Sequence, residues 1–291
     1  MKKFENNRET KLMLEAKGFK HTIPFISFKP IIVDQHTVVC LFINGLGGTN
    51  RFVEIMNHPF FDRHYLVSYE RAGQGDNKNL PKRWPSFFLK ELDEVINKIH
   101  EIFPNKQIYI LGESWGSALA YLYYKHHDKK IAGVFCWNMP HNIKDASHSP
   151  RTQKLIIFAK MLITIPFGIH YKDYHAKDTS EIFSSNPLLI RLSKVANANK
   201  IMDLCLYLAS WWSFKPAWRF LYRNLENAKY NIYYIQSGED FMINRKYFER
   251  FQKRWEQSTR IKYFEKGFHI LSMEEPLNDQ LYEFIQNHIN S

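Results

Sequence analysis

The chain has 291 residues, a formal net charge of +11 at pH 7 and an apolar content of 45%. That apolar content excludes an intrinsically disordered chain, and the 12 glycines follow no period, which excludes a collagen-like one. The three cysteines, Cys40, Cys136 and Cys205, lie far apart without CxxC spacing. They predict neither a disulfide framework nor a zinc site, and they favour a reducing compartment.

Two stretches of the sequence concern targeting and membranes. Residues 1–19 carry charges throughout and lack the apolar core of a signal peptide. The longest apolar stretch, residues 155–169, is interrupted by Lys160 and Pro166 and is too broken to span a bilayer. We therefore expect a cytoplasmic protein, whose contact with a membrane would be peripheral.

The first half of the chain alternates strand patterns with helical patterns. Continuous β-rich apolar runs predict strands that are buried on both faces, whereas apolar residues at a spacing of three to four predict helices. In chain order these are strands at residues 38–43 and 65–69, a helix at 86–103, a strand at 108–111, a helix at 118–127 and a strand at 131–137. This alternation predicts right-handed crossovers and a parallel sheet.

The alternation stops at about residue 141 and resumes at about residue 230. The intervening residues are helical in pattern, aromatic and basic. After them come a strand at residues 231–235, a helix at 245–256, a strand at 261–264 and a helix at 278–289. We therefore predict one α/β core, residues 1–140 and 230–291, with a helical cap or lid at residues 141–229 over the carboxyl ends of the strands.

The most informative motif is Gly-Glu-Ser-Trp-Gly at residues 112–116, between a predicted strand and a predicted helix. A G-x-S-x-G sequence in this context is typical of a nucleophile elbow, a sharp turn that lifts the serine hydroxyl out of the sheet. The strained turn leaves no room for side chains two residues away, which explains the glycine on either side. We predict that Ser114 is the nucleophile.

A serine nucleophile needs a general base and a group that orients this base. In proteins with this elbow, an acid and then a histidine follow on loops after later strands. The strand at residues 231–235 runs into an acidic turn with Glu239 and Asp240, and the strand at 261–264 is followed by His269. We predict His269 as the base and Asp240 as its orienting acid, with Glu239 as the fallback.

An oxyanion hole requires a second backbone donor besides the amide that follows the nucleophile, which is that of Trp115. The glycine-rich segment at residues 44–48 follows an early strand, and its glycines let the main chain approach a substrate. We predict the Leu46 amide as this second donor. A phosphate-binding loop is disfavoured, because the spacing matches neither the dinucleotide-binding nor the P-loop pattern.

These motifs resemble the α/β-hydrolase superfamily and, within it, a serine aminopeptidase (S33)-like group that includes monoacylglycerol lipases and lysophospholipases. The segments that carry the similarity are residues 44–48 with Arg51 and Phe52, residues 69–76, the weaker 186–188, residues 238–240 and residues 266–269 with 274–276. The resemblance implies an α/β-hydrolase fold with a mostly parallel sheet, a helical lid and a Ser-His-Asp triad. It also implies no metal or organic cofactor, and a small acyl ester or lysolipid as substrate.

Three residues depart from the pattern of that group. Asn44 and Glu113 stand where histidines are usual, and Trp115 stands where methionine is usual. None is a predicted triad member, so the predicted reaction class is unchanged and the substrate preference stays open. The Gly-x-Ser-Trp-Gly-Ser sequence also resembles proline iminopeptidases. An aminopeptidase or acyl-thioesterase on the same fold is therefore an alternative, and a non-catalytic binding protein of this fold is another.

Most of the net charge lies in the predicted cap, residues 141–229, where lysines and arginines are mixed with tryptophans and leucines. Such helices suit a lid that rests on an anionic lipid surface and opens an acyl channel. The alternative is a cap whose apolar side chains pack on the core while its lysines are solvated. Nucleic-acid binding is disfavoured, because the basic residues form no groove-reading module and the aromatic residues cluster with aliphatic ones.

Overall fold

The computed structural model describes residues 6–15, 21–45, 53, 56–74, 77, 85–140, 171–172, 201–202, 204–240 and 245–289. Its strands are β1 (Glu9–Glu15), β2 (Thr22–Phe28), β3 (Val39–Ile43), β4 (Tyr65–Tyr69), β5 (Ile108–Glu113), β6 (Gly133–Trp137), β7 (Tyr171–Lys172), β8 (Ile201–Met202), β9 (Ile232–Ser237) and β10 (Ile261–Phe264). Its α-helices are α1 (Pro85–Ile102), α2 (Trp115–His127), α3 (Leu204–Asn224), α4 (Arg245–Arg254) and α5 (Leu277–Ile289). Short 3-10 helices lie at Asn6–Arg8, Pro59–Asp62 and Leu271–Met273.

Eight of these strands form one sheet in the order β1-β2-β4-β3-β5-β6-β9-β10. All neighbours from β4 to β10 are parallel, whereas β1 and β2 join antiparallel at one edge. The predicted, mostly parallel sheet with intervening helices is therefore confirmed. Outside residues 141–229, the predicted strands and helices lie within a few residues of the observed ones.

Alternate residues of the central strands face opposite sides of the sheet, because successive side chains of a strand point to opposite faces. In β3, Val39, Leu41 and Ile43 belong to a core shared with α1, α2, α3 and α4. Cys40 and Phe42 belong to a second core shared with α5. All five side chains are buried, which explains why the apolar run of β3 is continuous.

The β1–β2 hairpin is the part of the sheet that the sequence patterns did not predict. Pro24 lies inside the apolar run of β2, and a proline within such a run argues against a strand. Strand β1 lies at the edge of the sheet with Leu12 and Met13 exposed, so it lacks the alternation of a half-buried strand. The two strands nevertheless pair along the whole of β1.

Most of the predicted cap, residues 141–229, lies outside the described residues. Of this segment the structure describes the antiparallel pair β7–β8, the helix α3 and residues 225–229. The second half of α3 is part of the core beside α2, where Phe214, Trp218 and Leu221 are buried. The boundaries of the cap stay a prediction. No helix within the described ranges is both long and apolar enough to cross a membrane.

Candidate active site

The residues predicted to form the site follow neighbouring parallel strands. Ser114 directly follows β5, Asp240 lies in the acid turn (residues 238–240) after β9, and His269 lies in the histidine loop (residues 265–276) after β10. Strands β5, β6, β9 and β10 are adjacent, so their carboxyl ends meet along one edge of the sheet. The fold thereby places three residues that are far apart in the sequence on the same side of the molecule.

Ser114 occupies a strained turn between β5 and α2. Its φ and ψ are 55° and −119°, a conformation that residues with a β-carbon rarely adopt. Its amide donates to the Trp137 carbonyl at 3.0 Å, and its carbonyl accepts from the Ser117 amide at 3.1 Å. These bonds hold both backbone groups of the turn. The geometry matches the nucleophile elbow that the sequence predicts.

Two glycines allow the chain to pass close to this turn. A β-carbon on Gly116 would lie 2.0 Å from the carbonyl oxygen of Ile43, a distance that no side chain can accommodate. A β-carbon on Gly45 would lie 3.0 Å from the β-carbon of Ser114. The main chain after β3 therefore runs directly against Ser114, at the place where the sequence predicts an oxyanion loop.

The structure brings His269 and Asp240 into contact. Nδ1 of His269 lies 2.9 Å from Oδ2 of Asp240, and both side chains are buried. Glu239, the fallback acid, is exposed, and its carboxylate accepts from the Gly267 amide at 3.4 Å. An imidazole that donates from Nδ1 to a carboxylate presents Nε2 as a proton acceptor, which is what a general base requires.

Nearby negative charge raises the pKa of His269. Burial alone would lower this pKa, but the charge of Asp240, the hydrogen bond to it and the charge of Glu113 outweigh burial. Glu113, in the elbow, is itself buried, and burial raises the pKa of its carboxyl group. Its Oε2 accepts from Nε1 of Trp137 at 3.0 Å and from Oγ of Ser272 at 3.1 Å. Glu113 thus connects the elbow to the histidine loop.

Of the two predicted oxyanion donors, Leu46 lies outside the described residues. The carbonyl of the residue before it, Gly45, accepts from Nη2 of Arg71 at 2.7 Å and from Nε2 of Gln74 at 3.2 Å, so the start of this loop is anchored. Trp115 is the first residue of α2. Its amide therefore belongs to the helix N-terminus, where the first amides have no partner within the helix and favour an anion.

The side chain of Trp115 packs in the core. Its ring is fully buried, lies edge-on to Phe88 with centroids 5.1 Å apart, and donates from Nε1 to Oγ of Ser213 at 3.2 Å. The guanidinium carbon of Arg71 lies 4.7 Å from the centre of this ring. Burial lowers the pKa of Arg71 to about 10, which leaves it cationic at neutral pH. One buried cation therefore contacts Gly45 and Trp115, on the two segments that carry the predicted donors.

One residue at this edge of the sheet was missed by the sequence patterns. Asn138 directly follows β6, is fully buried and donates from Nδ2 to the His269 carbonyl at 2.8 Å. A polar residue directly after a buried parallel strand is a signal that could have found it, because such residues lie where ligands bind. Arg71 and Glu113 belong to motifs noted in the sequence, but nothing there predicted their contacts.

The described part of the chain contains no group of three His, Cys, Asp or Glu side chains placed to hold a metal ion. Cys40 and Cys136 are free thiols in opposite cores of the sheet. Burial raises the pKa of both thiols, because it desolvates the thiolate. Because the thiolate is the reactive form of cysteine, these two residues are poor nucleophiles.

Sequence comparison gives a match to a family model and a partial match to one protein. The family model of the serine aminopeptidases, S33 (Hydrolase_4), matches residues 34–276, a range that includes Ser114, Asp240 and His269. A proline iminopeptidase from Lactobacillus acidophilus is 26% identical to this chain over 91 residues. That segment makes up 31% of this chain and 31% of the relative, so the chain matches less than a third of the relative's length.

Solved structures with a similar fold cover nearly the whole chain. A thermostable carboxyl esterase from Bacillus coagulans, in complex with glycerol, has a TM-score of 0.68 at 14% identity, and the match covers 97% of this chain and 98% of that one. A lipase in its open form has a TM-score of 0.68 at 13% identity, with 97% and 100% covered. At such identities the likeness establishes the fold, so the predicted α/β-hydrolase fold is confirmed.

Proposed function

The chain belongs to the serine aminopeptidase, S33 family of hydrolases, and on that premise we propose that it hydrolyses carboxylic acyl esters through a serine nucleophile. Within this class we propose an esterase of the monoacylglycerol lipase or lysophospholipase type. The observation that carries the proposal is the buried hydrogen bond between His269 and Asp240. It lies at the sheet edge where Ser114 occupies a strained turn.

In the proposed reaction, Oγ of Ser114 attacks the acyl carbonyl carbon while Nε2 of His269 accepts the hydroxyl proton. The bond to the leaving alcohol then breaks, and the imidazolium returns the proton to that alcohol. Asp240 orients the imidazole through Nδ1 and stabilises the imidazolium. A water molecule, deprotonated by the same imidazole, then attacks the acyl carbon. The bond between this carbon and Oγ of Ser114 breaks, the imidazolium returns the proton to Oγ, and the carboxylic acid is released.

The amides of Leu46 and Trp115 are the proposed oxyanion donors. Two observations support this placement, namely the close approach of Gly45 to Ser114 and the position of Trp115 at the start of α2. The positive end of the helix dipole favours the developing negative charge at the same place. Removal of one donor from an oxyanion hole of this type lowers kcat by about 10²- to 10³-fold.

The proposed substrate is a small acyl ester of the glycerol type or a lysolipid. Similarity of the site motifs to lysophospholipases supports this class. The apolar and basic composition of residues 141–229 supports it further, because such a lid suits an acyl channel beside an anionic lipid surface. Trp212, in the described part of that segment, is 53% exposed. On these grounds we also propose that the lid contacts anionic membranes.

An aminopeptidase of the proline iminopeptidase type is the second candidate. It is favoured by the 91-residue likeness to the Lactobacillus acidophilus protein and by the Gly-x-Ser-Trp-Gly-Ser sequence around Ser114. It would use the same three residues, with an amine as the leaving group in place of an alcohol. An acyl-thioesterase would release a thiol, and a non-catalytic binding protein would keep the fold with an unreactive serine.

A substrate panel separates these candidates. The purified protein is assayed with p-nitrophenyl esters of increasing acyl length, a monoacylglycerol, a lysophospholipid, an acyl-thioester and proline p-nitroanilide. The control is Ser114→Ala, with its fold checked by circular dichroism. We expect the highest kcat/KM on the monoacylglycerol or the lysophospholipid. A higher kcat/KM on the anilide or the thioester than on every ester would overturn the proposed bond preference, and activity that survives in Ser114→Ala would refute the nucleophile.

A further inference from the structure

Asn138 has a fully buried side-chain amide, which contacts the end of β9 and the loop that follows β10. Its Nδ2 donates to the carbonyls of His269 at 2.8 Å and Phe268 at 3.0 Å and to Oγ of Ser237 at 3.0 Å. Its Oδ1 accepts from the Ser237 amide at 2.9 Å and from Nε2 of Gln236 at 3.2 Å. The side chain therefore joins the histidine loop to the end of the strand that leads into the acid turn.

The residue before Asn138 completes this junction. The Trp137 carbonyl accepts from the amide of Ser114 at 3.0 Å, as described above, and from Oγ of Ser117 at 2.9 Å. The amide of Asn138 donates to the Ile235 carbonyl in β9 at 3.1 Å. Trp137, the last residue of β6, and Asn138, the residue after it, thus hold the elbow, the end of β9 and the histidine loop, because β6 lies between β5 and β9.

The chemistry at this position requires asparagine. Its backbone has φ = 50°, in the left-handed region, which asparagine adopts more readily than other residues with a β-carbon. Three acceptors face Nδ2 and two donors face Oδ1, so both a donor and an acceptor are needed. An aspartate would place a carboxylate oxygen against the carbonyls of Phe268 and His269 and would lack the donor.

We propose that Asn138 is a positioning residue, which sets the His269 imidazole against Asp240 and the Ser114 elbow by fixing the backbone of the histidine loop. The inference rests on the proposed function, in which His269 is the general base. Reacting groups that are misplaced by about 1 Å can lower a rate by about 100-fold, so a backbone bond this close to the base affects catalysis directly. A residue that only stabilised the fold would affect unfolding and leave kcat unchanged.

Two substitutions distinguish the role of the Asn138 side chain from that of its backbone conformation. Asn138→Gly removes the amide but accepts the positive φ, and Asn138→Asp keeps the size and the acceptor but loses the donor. The matched control is Asn105→Gly. Asn105 also has a positive φ, of 67°, and it is exposed in the turn between α1 and β5, at the opposite ends of the strands.

Each variant is measured by steady-state kinetics on a p-nitrophenyl acyl ester and by thermal unfolding. We expect both Asn138 variants to lose about 10- to 100-fold in kcat with little change in KM, and Asn105→Gly to match the wild type. If Asn138→Gly does not fold, Asn138→Asp carries the comparison. A lower midpoint of unfolding with an unchanged kcat in a folded Asn138 variant would overturn the inference.

A second readout does not depend on turnover. The proton that Nδ1 of His269 shares with Asp240 gives a downfield proton NMR resonance in a buried pair of this kind. We expect this resonance in the wild type and in Asn105→Gly, and its shift or loss in the Asn138 variants. An unchanged resonance in those variants overturns the positioning role even if the wild type hydrolyses no ester. Absence of ester hydrolysis by the wild type counts against the proposed function instead.

Discussion

Nδ1 of His269 lies 2.9 Å from Oδ2 of Asp240, and the two residues are only 4% and 6% exposed. A hydrogen bond to a carboxylate in such a place fixes both the orientation and the tautomer of the imidazole. Asp240→Asn keeps the shape of the side chain but removes the negative charge that selects the imidazole tautomer with its proton on Nδ1. We expect kcat on an ester to fall about 10⁴-fold with little change in KM, as it does for the equivalent change in a serine protease triad.

Glu239→Gln is the matched control for that substitution. It changes the neighbouring carboxylate, which is exposed and contacts the Gly267 amide instead of the imidazole. We expect kcat close to that of the wild type, measured with the same ester at the same pH. A large loss in Glu239→Gln together with a mild effect of Asp240→Asn would exchange the roles of the two acids.

The charges around His269 predict the pH dependence of the reaction. Asp240 and Glu113 raise the pKa of His269 above its ordinary value of 6.5, and a general base must be neutral to accept a proton. The active form is therefore lost as the pH falls through this raised pKa. We expect kcat/KM to rise with pH and to reach half of its maximum above pH 6.5. A midpoint at or below pH 6.5 would contradict the role of these carboxylates.

Glu113→Gln tests the contribution of the elbow carboxylate to that profile. The substitution keeps the size of the side chain and an acceptor for Trp137 and Ser272, but it removes a negative charge near His269. Since negative charge raises the pKa of an imidazole, we expect the acidic limb of kcat/KM to move to lower pH. The exposed Glu239→Gln serves again as the control. If the acidic limb of kcat/KM lies at the same pH in both variants, Glu113 carries no charge in the active protein.

Arg71 connects the two segments that carry the proposed oxyanion donors, the amides of Leu46 and Trp115. It donates to the Gly45 carbonyl at 2.7 Å and lies 4.7 Å from the centre of the Trp115 ring. We expect Arg71→Gln to lower kcat by about 10- to 100-fold, because the Gly45 carbonyl loses the shorter of its two anchoring hydrogen bonds and the donor at Leu46 shifts away from the oxyanion. The measurement is kcat and KM on a p-nitrophenyl ester, accompanied by thermal unfolding.

A matched control exists for this arginine. Arg8 also donates to a backbone carbonyl, that of Phe61, at 2.7 Å, and it pairs with Asp62 at 2.8 Å, but it precedes the edge strand β1. Arg8→Gln is expected to lower the midpoint of unfolding without changing kcat. Equal losses of kcat in the two variants would mean that Arg71 acts only through global stability.

Substitution of the two glycines at the elbow is expected to affect stability in one case and catalysis in the other. Gly116→Ala brings a β-carbon to 2.0 Å from the Ile43 carbonyl, a clash with main chain that we expect to destabilise the fold by about 3 kcal/mol. Gly45→Ala brings a β-carbon to 3.0 Å from the β-carbon of Ser114. That contact is milder, so we expect a folded protein with kcat lowered about 10-fold. Chemical denaturation and ester kinetics measure both, and a stable, fully active Gly116→Ala would refute the packing at the elbow.

The central sheet could be predicted because its strands are buried on both faces. In β3 all five residues are apolar and buried, so the sequence itself carries the signal. The elbow could be predicted because its sharp turn leaves no room for a β-carbon at Gly116, which would clash with the Ile43 carbonyl. The β1–β2 hairpin could not, because β1 packs on one neighbour only and because Pro24 interrupts the pattern of β2.

The positions of the candidate site residues could be predicted from strand order, but their partners could not. The hydrogen-bond partners of the Asn138 side chain lie 98 to 131 residues away in the sequence, and only the tertiary fold brings them together. Glu113 is noticeable in the sequence only as a departure from a family pattern. Its contact with Ser272 depends on how the histidine loop crosses the end of β5, which no local pattern describes.

Labelling of the folded protein with a fluorophosphonate, followed by peptide mass spectrometry, shows whether Ser114 is an activated nucleophile. Such a probe reacts with a serine only when a base activates it. We predict a single adduct on Ser114, a rate that falls sharply in His269→Ala, and no adduct in Ser114→Ala. An unlabelled Ser114 in folded wild-type protein, or an adduct on a different residue, would contradict the assignment of Ser114 as the nucleophile.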